Sequence, residues 1–241
     1  IGKFTINLTN APSIIGYGAV VGKKEADGPL GQYFDKAYND AFFGEKTFEK
    51  AETKMQKMTI ETAVKKSGLS KSDIQIAFAG DLLNQCIGSS FDMRDLGFCF
   101  AGLYGACSTM ALSLALAGIF VDSGAVKTAL AAASSHFCSA ERQYRFPLEY
   151  GSQRTPTAQW TVTGSGATVL GIKDEPPFIK AVTVGKIVDL GVTDANNMGA
   201  AMAPAAADTI YTHLKDMNKS PEDFDLIVTG EVLYTDFQVF A

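Results

Sequence analysis

Apolar positions Met55, Met58, Ile60, Ala63 and Val64 recur at helical spacing between Lys50 and Lys66, and Gly68 ends the run, so the pattern predicts a helix there. A short loop then leads into a β-rich stretch, Ile74 to Ala79, stopped by Gly80. Further on the pattern predicts a strand over Phe98–Tyr104, a turn at Gly105–Cys107, a helix from Ser108 to Phe120 and a strand over Lys127–Ala133. A long polar loop from Ser134 to Thr157 and a glycine-interrupted strand from Thr161 to Ile172 complete this series. Residues 28–50 mix aromatic and charged side chains without a clean period and read as an irregular segment leading into the first helix. Alternating strands and helices with such apolar strands imply an α/β architecture with buried sheets.

The helix–loop–strand unit occurs twice. Met58–Asp81 and Asp208–Glu231 align without a gap at a constant offset of 150, and seven positions are identical, among them Thr59/Thr209, Ser70/Ser220, Asp73/Asp223 and Gly80/Gly230. A duplication of this kind predicts two related halves, residues 1–175 and 176–241, with Glu175-Pro176-Pro177 at the boundary. After Gly80 the first copy runs on to Asp174, whereas only 11 residues follow Gly230. The second half is therefore expected to be incomplete, with a segment missing at the 231/232 join or a truncated end.

Composition narrows the function. The 241 residues are 46% apolar and 20% charged, enough for a sizeable core, and the net charge of -5 excludes a dedicated nucleic-acid binder. Cys86, Cys99, Cys107 and Cys138 show no C-x-x-C spacing, and with two histidines in the chain a Cys/His zinc site is hard to build. Thiols in a reducing compartment are the expectation. The N-terminal residues carry no basic-then-apolar signal segment and do not begin with Met, which suggests trimming. The uncharged stretch Phe98–Val121 is long enough to cross a bilayer, but its glycines and hydroxyl residues favour a buried strand, turn and helix.

Candidate chemistry gathers at predicted strand ends. Cys107, followed by Ser108 and Thr109, stands where an apolar strand turns into an apolar helix; unpaired N–H groups there favour a thiolate, although a small core residue fits the same spacing. His136 in Ser-Ser-His ends a strand and suits either a ligand-orienting base or a hydrogen-bonded loop residue, while His213 on a second-half helix reads as structural. Arg142 and Arg145 lie beside aromatic residues and could grip an acidic ligand or pair with Glu141 and Glu149. Asp81, Asn84 and Gln85 could line a pocket or cap the Leu82 turn. Gly164-Ser-Gly-Ala lacks the pattern of a phosphate loop.

Taken together, GACSTMALSLALAG and TVTGSGATVL resemble the thiolase superfamily, in particular the nucleophile segment and the closing strand of its 3-oxoacyl-acyl-carrier-protein synthases. GPLGQYFDKAYND, AGDLLNQ, GACST, ASSH, AERQYRFP, VDLGVTDANNMGAAMAPAAADTI and FDLIVTG resemble the stage V sporulation protein AD family more closely, across nearly the whole chain. The resemblance implies a layered αβαβα thiolase-like fold and non-catalytic binding of dipicolinic acid (pyridine-2,6-dicarboxylate), alone or as its calcium chelate, for uptake into the developing spore. Gly230 and Glu231 stand where condensing enzymes carry a second-half catalytic histidine, which removes a partner Cys107 would need. The implied ligand set is Cys107, Ser108 and Thr109 for one carboxylate and Arg142 or Arg145 for the other, with His136, Asp81, Asn84 and Gln85 nearby and Met198 as an apolar wall. No cofactor or metal ligand set is implied. Partners would be other stage V sporulation A membrane proteins and a second copy in a homodimer, at the spore inner membrane of a spore-forming bacterium. The alternatives are an acyl-transfer or condensing enzyme using Cys107, or a vestigial structural subunit.

Overall fold

The computed structural model describes residues 1–144, 160–194 and 197–229, with the backbone alone from 142 to 144. The chain divides into a larger unit, Leu8–Tyr150 with Thr161–Ile179, and a smaller one, Ile1–Asn7, Gly151–Trp160 and Lys180–Ala241. In chain order the elements are β1 (Thr5–Asn7), β2 (Ser13–Gly22), α1 (Lys23–Ala26), β3 (Lys36–Tyr38), α2 (Phe48–Ser67), β4 (Ile76–Gly80) and α3 (Ile87–Leu96). They continue with β5 (Phe100–Gly102), α4 (Thr109–Asp122), β6 (Thr128–Ser135), α5 (Phe137–Tyr144), β7 (Gly164–Gly171), β8 (Ala181–Thr183) and α6 (Met198–Met217).

The larger unit is built on a six-stranded sheet in the order β3-β2-β7-β6-β4-β5. β4 runs parallel to β5 and β6, and β7 runs antiparallel to both β6 and β2. Successive strand residues face opposite sides, and two cores follow from that alternation. Ala77 and Ala79 of β4 and Leu130 and Ala132 of β6 pack with Ile60, Ala63 and Val64 of α2 and Met93 and Leu96 of α3. Phe78, Ala129 and Ala131, from the same two strands, pack with Ala117 and Val121 of α4. Helices therefore cover both faces of the sheet around β4 and β6. Gly18 of β2 lets α2 come close: a Cβ there would stand 2.5 Å from the Thr59 carbonyl oxygen.

α2 follows from its sequence at both ends. Thr47 caps it by accepting from Lys50 N–H, and Gly68 closes it in the left-handed conformation at φ 74°. Two expectations need correction. The loop read from Ser134 onward begins as the last residues of β6 and continues as α5, because Ala140 buries one side of that segment and Ser139 is drawn inward to α2. The strand expected over Phe98–Tyr104 shortens to β5, and the helix α3, which buries Gly88, Ser89, Asp92, Met93 and Leu96, precedes it.

The smaller unit repeats part of this plan. α6 spans the same 20 residues as α2 at the 150-residue offset, and ends in left-handed Asn218 where α2 ends in Gly68. Ser70 with Asp73, and Ser220 with Asp223, form the same reciprocal cap. β8 pairs antiparallel with β1. The 231/232 join lies outside the described residues.

Candidate functional site

β4, β5 and β6 are parallel, so their C-terminal ends lie along one edge of the sheet, the place where ligand sites of open α/β sheets form. Two loops leave that edge side by side. The first, 81–86, follows β4; the second, 103–108, follows β5 and leads into α4. The Cys86 thiol donates to the Leu103 carbonyl at 2.8 Å and joins them. Gly80 is required here, because a Cβ at that position would fall on the Leu103 carbonyl oxygen.

Asp81 is fully buried and its carboxylate shapes the first loop. Oδ1 accepts from Leu83 N–H at 2.9 Å, and Oδ2 accepts from Ser89 N–H at 2.7 Å and the Ser89 hydroxyl at 2.6 Å. Gln85 and Cys86 are consequently held in the left-handed region, at φ 58° and 52°, and Asn84 and Gln85 are exposed on the loop that Cys86 ties to Leu103. Of the two roles open to it in the sequence, Asp81 makes the capping bonds of this loop.

Cys107 is exposed, in the 3-10 turn Ala106–Ser108 one residue before the cap of α4, where the expected turn at Gly105–Cys107 leads into the helix. Ala106 before it adopts φ 47°. The Ser108 hydroxyl donates to the Gly105 carbonyl at 2.7 Å, and Thr109 Oγ1, buried, accepts from Gly105 N–H at 3.2 Å. Those bonds tie Thr109 to the turn's interior and leave Cys107 and Ser108 as its outer residues.

His136 is buried among aromatic rings, with Phe48 and Phe43 at centroid distances of 5.3 and 6.4 Å. Its Nε2 lies 2.7 Å from the Ala41 carbonyl, and its Nδ1 accepts from Cys138 N–H at 3.1 Å, an arrangement that makes Nε2 the protonated nitrogen. Burial lowers its pKa below the usual 6.5. Both ring nitrogens are engaged inside the protein, the hydrogen-bonded one of the two arrangements open to His136 in the sequence. Arg142 sits on the backbone of α5, Arg145 lies outside the described residues, and Met198 opens α6 in the smaller unit.

A buried polar group was missed by the sequence reading. Glu52 of α2 is fully buried and accepts from the Ser139 hydroxyl at 2.7 Å and the Ser134 hydroxyl at 3.2 Å. Burial pushes its pKa up to about 8, and the nearby Asp81 charge adds to the effect. Gln56, one turn on, donates to the Gly80 carbonyl at 3.4 Å. The available signal was positional: Glu52 and Gln56 precede Ile60 by eight and four residues, on the stripe that α2 buries.

Residues 2–239 match the family described as stage V sporulation protein AD. The chain is 48% identical over 215 residues to the stage V sporulation protein AD of Bacillus subtilis (strain 168), covering 89% of this chain and 64% of that protein. It therefore spans just under two thirds of that relative's length. Among solved structures it is similar to a histidine-to-alanine variant of Xanthomonas campestris OleA, with a TM-score of 0.65 at 14% identity over 95% of this chain and 80% of that one. It is also similar to 3-oxoacyl-(acyl carrier protein) synthase III of Xanthomonas oryzae pv. oryzae, with a TM-score of 0.62 at 15% identity over 99% and 81%. The fold is thus the thiolase-like α/β fold of these enzymes.

Proposed function

The chain belongs to the stage V sporulation protein AD family, and from that premise we propose that it binds dipicolinic acid, without turning it over, for uptake into the developing spore. The observation that carries the reading is the pair of adjoining loops at the edge of β4 and β5. Asn84 and Gln85 are exposed on one of them and Cys107 and Ser108 on the other, and the Cys86–Leu103 bond joins the two. Dipicolinate is a flat dianion and needs donors at two carboxylates. The N–H groups entering α4 suit one carboxylate and the amide side chains of Asn84 and Gln85 the other. Arg142 or Arg145 would supply the charge.

Binding without turnover is supported by His136, which holds both ring nitrogens inward and offers no base to the thiol. The protein would work with other stage V sporulation A membrane proteins, at the spore inner membrane, as a homodimer and with the ligand free or as its calcium chelate. No described helix is long and apolar enough to cross a membrane, which suits attachment through partners. The apolar helix α4, with Leu112 exposed, suits burial between two copies.

Calorimetric titration of the chain with dipicolinate, with pyridine-2-carboxylate as the control lacking one carboxylate, tests the proposal. Saturable heat that is much reduced in the control, and lost in Cys107→Trp, is the expected result. Absence of saturable heat with dipicolinate overturns it. The exposed thiol also favours a second reading, acyl transfer, in which the Cys107 thiolate attacks a thioester carbonyl and expels the CoA thiolate, which takes a proton from water. An acyl mass increment on Cys107 after exposure to acyl-CoA would select that reading.

A further inference from the structure

The loop carrying Asn84 and Gln85 has two successive non-glycine residues in the left-handed region, a conformation L side chains rarely hold without external support. Its support is not local. The cap position of α3 is Cys86, itself left-handed and without a side-chain cap, so the helix's leading N–H groups look elsewhere. Asp81 supplies the acceptor from five residues before that cap. One of its oxygens holds the entry of the loop through Leu83 N–H, and the other holds the exit through the backbone and hydroxyl of Ser89. Gly88 leaves room for this: a Cβ there would stand 3.3 Å from Asp81 Oδ2. With both ends of the loop fixed to one carboxylate, Cys86 is directed onto the Leu103 carbonyl, at the root of the loop that carries Cys107.

We infer that Asp81 is the positioning residue of the ligand site, setting the spacing between the Asn84–Gln85 amides and the Cys107 turn by clamping Leu83 and Ser89. The inference rests on the reading of this edge as the dipicolinate site and adds to it the group that sets its discrimination between one carboxylate and two. Asp81 touches no ligand in this account. Its effect passes through the loop and the Cys86–Leu103 bond.

The test compares wild type with Asp81→Asn, which keeps the side chain's size but presents an amide N–H₂ where one of the clamped donors must bond. Dipicolinate and pyridine-2-carboxylate are titrated into both. At the same time, iodoacetamide labelling of Cys86 and Cys107 is followed by peptide mass spectrometry, with exposed Cys99 as the reference. The expected result is at least a tenfold loss of dipicolinate affinity, a collapse of the ratio between the two ligands, and faster labelling of the buried Cys86 in a protein that still melts cooperatively. A general weakening of the fold would not change that ratio. Wild-type affinity and ratio in Asp81→Asn, with Cys86 still protected, overturn the inference. If wild type itself shows no dipicolinate heat, the site reading fails separately, and unchanged Cys86 labelling in Asp81→Asn then overturns the clamp as well. Should Asp81→Asn not fold, Ser89→Ala removes one of the three donors; roughly threefold weaker binding supports the clamp and unchanged binding with unchanged labelling overturns it.

Discussion

Replacing Glu52 by glutamine isolates the cost of keeping a carboxyl group under α2. In the folded protein burial raises its pKa from 4.5 to about 8. Below pH 4.5 both folded and unfolded chains hold the proton and the group has no effect on the pH dependence. As pH rises from 4.5 to about 8 the unfolded chain releases the proton while the folded one keeps it, so stability falls by about 1.4 kcal/mol per pH unit. At pH 7 the accumulated loss is about 3 kcal/mol, and it levels off at about 5 kcal/mol once the folded pKa is passed. Glutamine reproduces the protonated acid: its oxygen accepts from one of Ser134 and Ser139, and its N–H₂ donates to the other. Urea unfolding of wild type and Glu52→Gln between pH 4.5 and 8.5 should therefore show curves that coincide near pH 4.5 and separate steadily above it, the variant being the more stable. Asp92, whose carboxyl oxygens have no hydrogen-bond partner among the described residues and whose pKa burial also raises to about 8, titrates in both proteins and cancels in the difference. A gap that does not change with pH would refute the buried, protonated Glu52.

Gly80→Ala drives a methyl group into the Leu103 carbonyl and to 2.8 Å from Thr109 Cγ2. It should cost about 2 kcal/mol or more and lower Tm by roughly 5 °C; an unchanged Tm by calorimetry would show that the two loops do not press together there. His136 should titrate below 6.5 in the folded protein, with Nε2 protonated, when its ring resonances are followed by NMR against pH. Because that folded pKa lies below the unfolded one, the neutral ring's stability is present above pH 6.5 and is lost as pH falls through the folded value. A midpoint at or above 6.5 would contradict its burial against Ala41.

Much of the frame was legible because periodicity and stop signals agreed. α2 reads from Met55, Ile60, Ala63 and Val64 with Gly68 behind them, and the duplication at offset 150 reappears as helices of equal length and as twin serine–aspartate caps. α3 was not legible, since Ile87-Gly-Ser-Ser-Phe-Asp-Met-Arg-Asp-Leu buries glycine, serine and aspartate on the inner side and leaves Ile87 and Phe91 outside. The site divided in the same way. The strand–turn–helix around Cys107 followed from apolar runs on either side of a glycine turn. The direction of Asp81 and His136 did not, because residue type and strand-end position are the same for a side chain that faces a ligand and one that turns in to hold a backbone N–H. Only the partners, Ser89 for one and Ala41 for the other, distinguish the two cases.

The same duplication decides how to read the cavity of about 260 Å³ in the smaller unit, lined by Thr183, Thr209, Ile210, His213, Leu214, Phe224, Leu226 and Ile227. Its apolar walls and single histidine invite a ligand. Thr183 Oγ1 lies 2.7 Å from His213 Nδ1 and 2.8 Å from Thr5 Oγ1, and Thr5 in turn donates to Asp216 at 2.9 Å. Since a carboxylate can only accept, each hydroxyl's single proton points toward Asp216, and His213 Nδ1 must be the donor at the far end. That would leave Nε2 for a ligand. Yet Ile210, His213, Leu214, Phe224 and Ile227 stand 150 residues after Ile60, Ala63, Val64, Ile74 and Ala77, which together form part of the packed core between α2 and the sheet in the larger unit. There the surface is closed by Leu130 and Ala132 of β6 and by Ala167 and Val169 of β7. Two copies of one design, one closed by strands and one open among the described residues, identify these walls as a core surface of the strand-packing kind. The loop edge of β4 and β5 differs from this apolar space: polar side chains are exposed there on a backbone held by the buried Asp81 carboxylate.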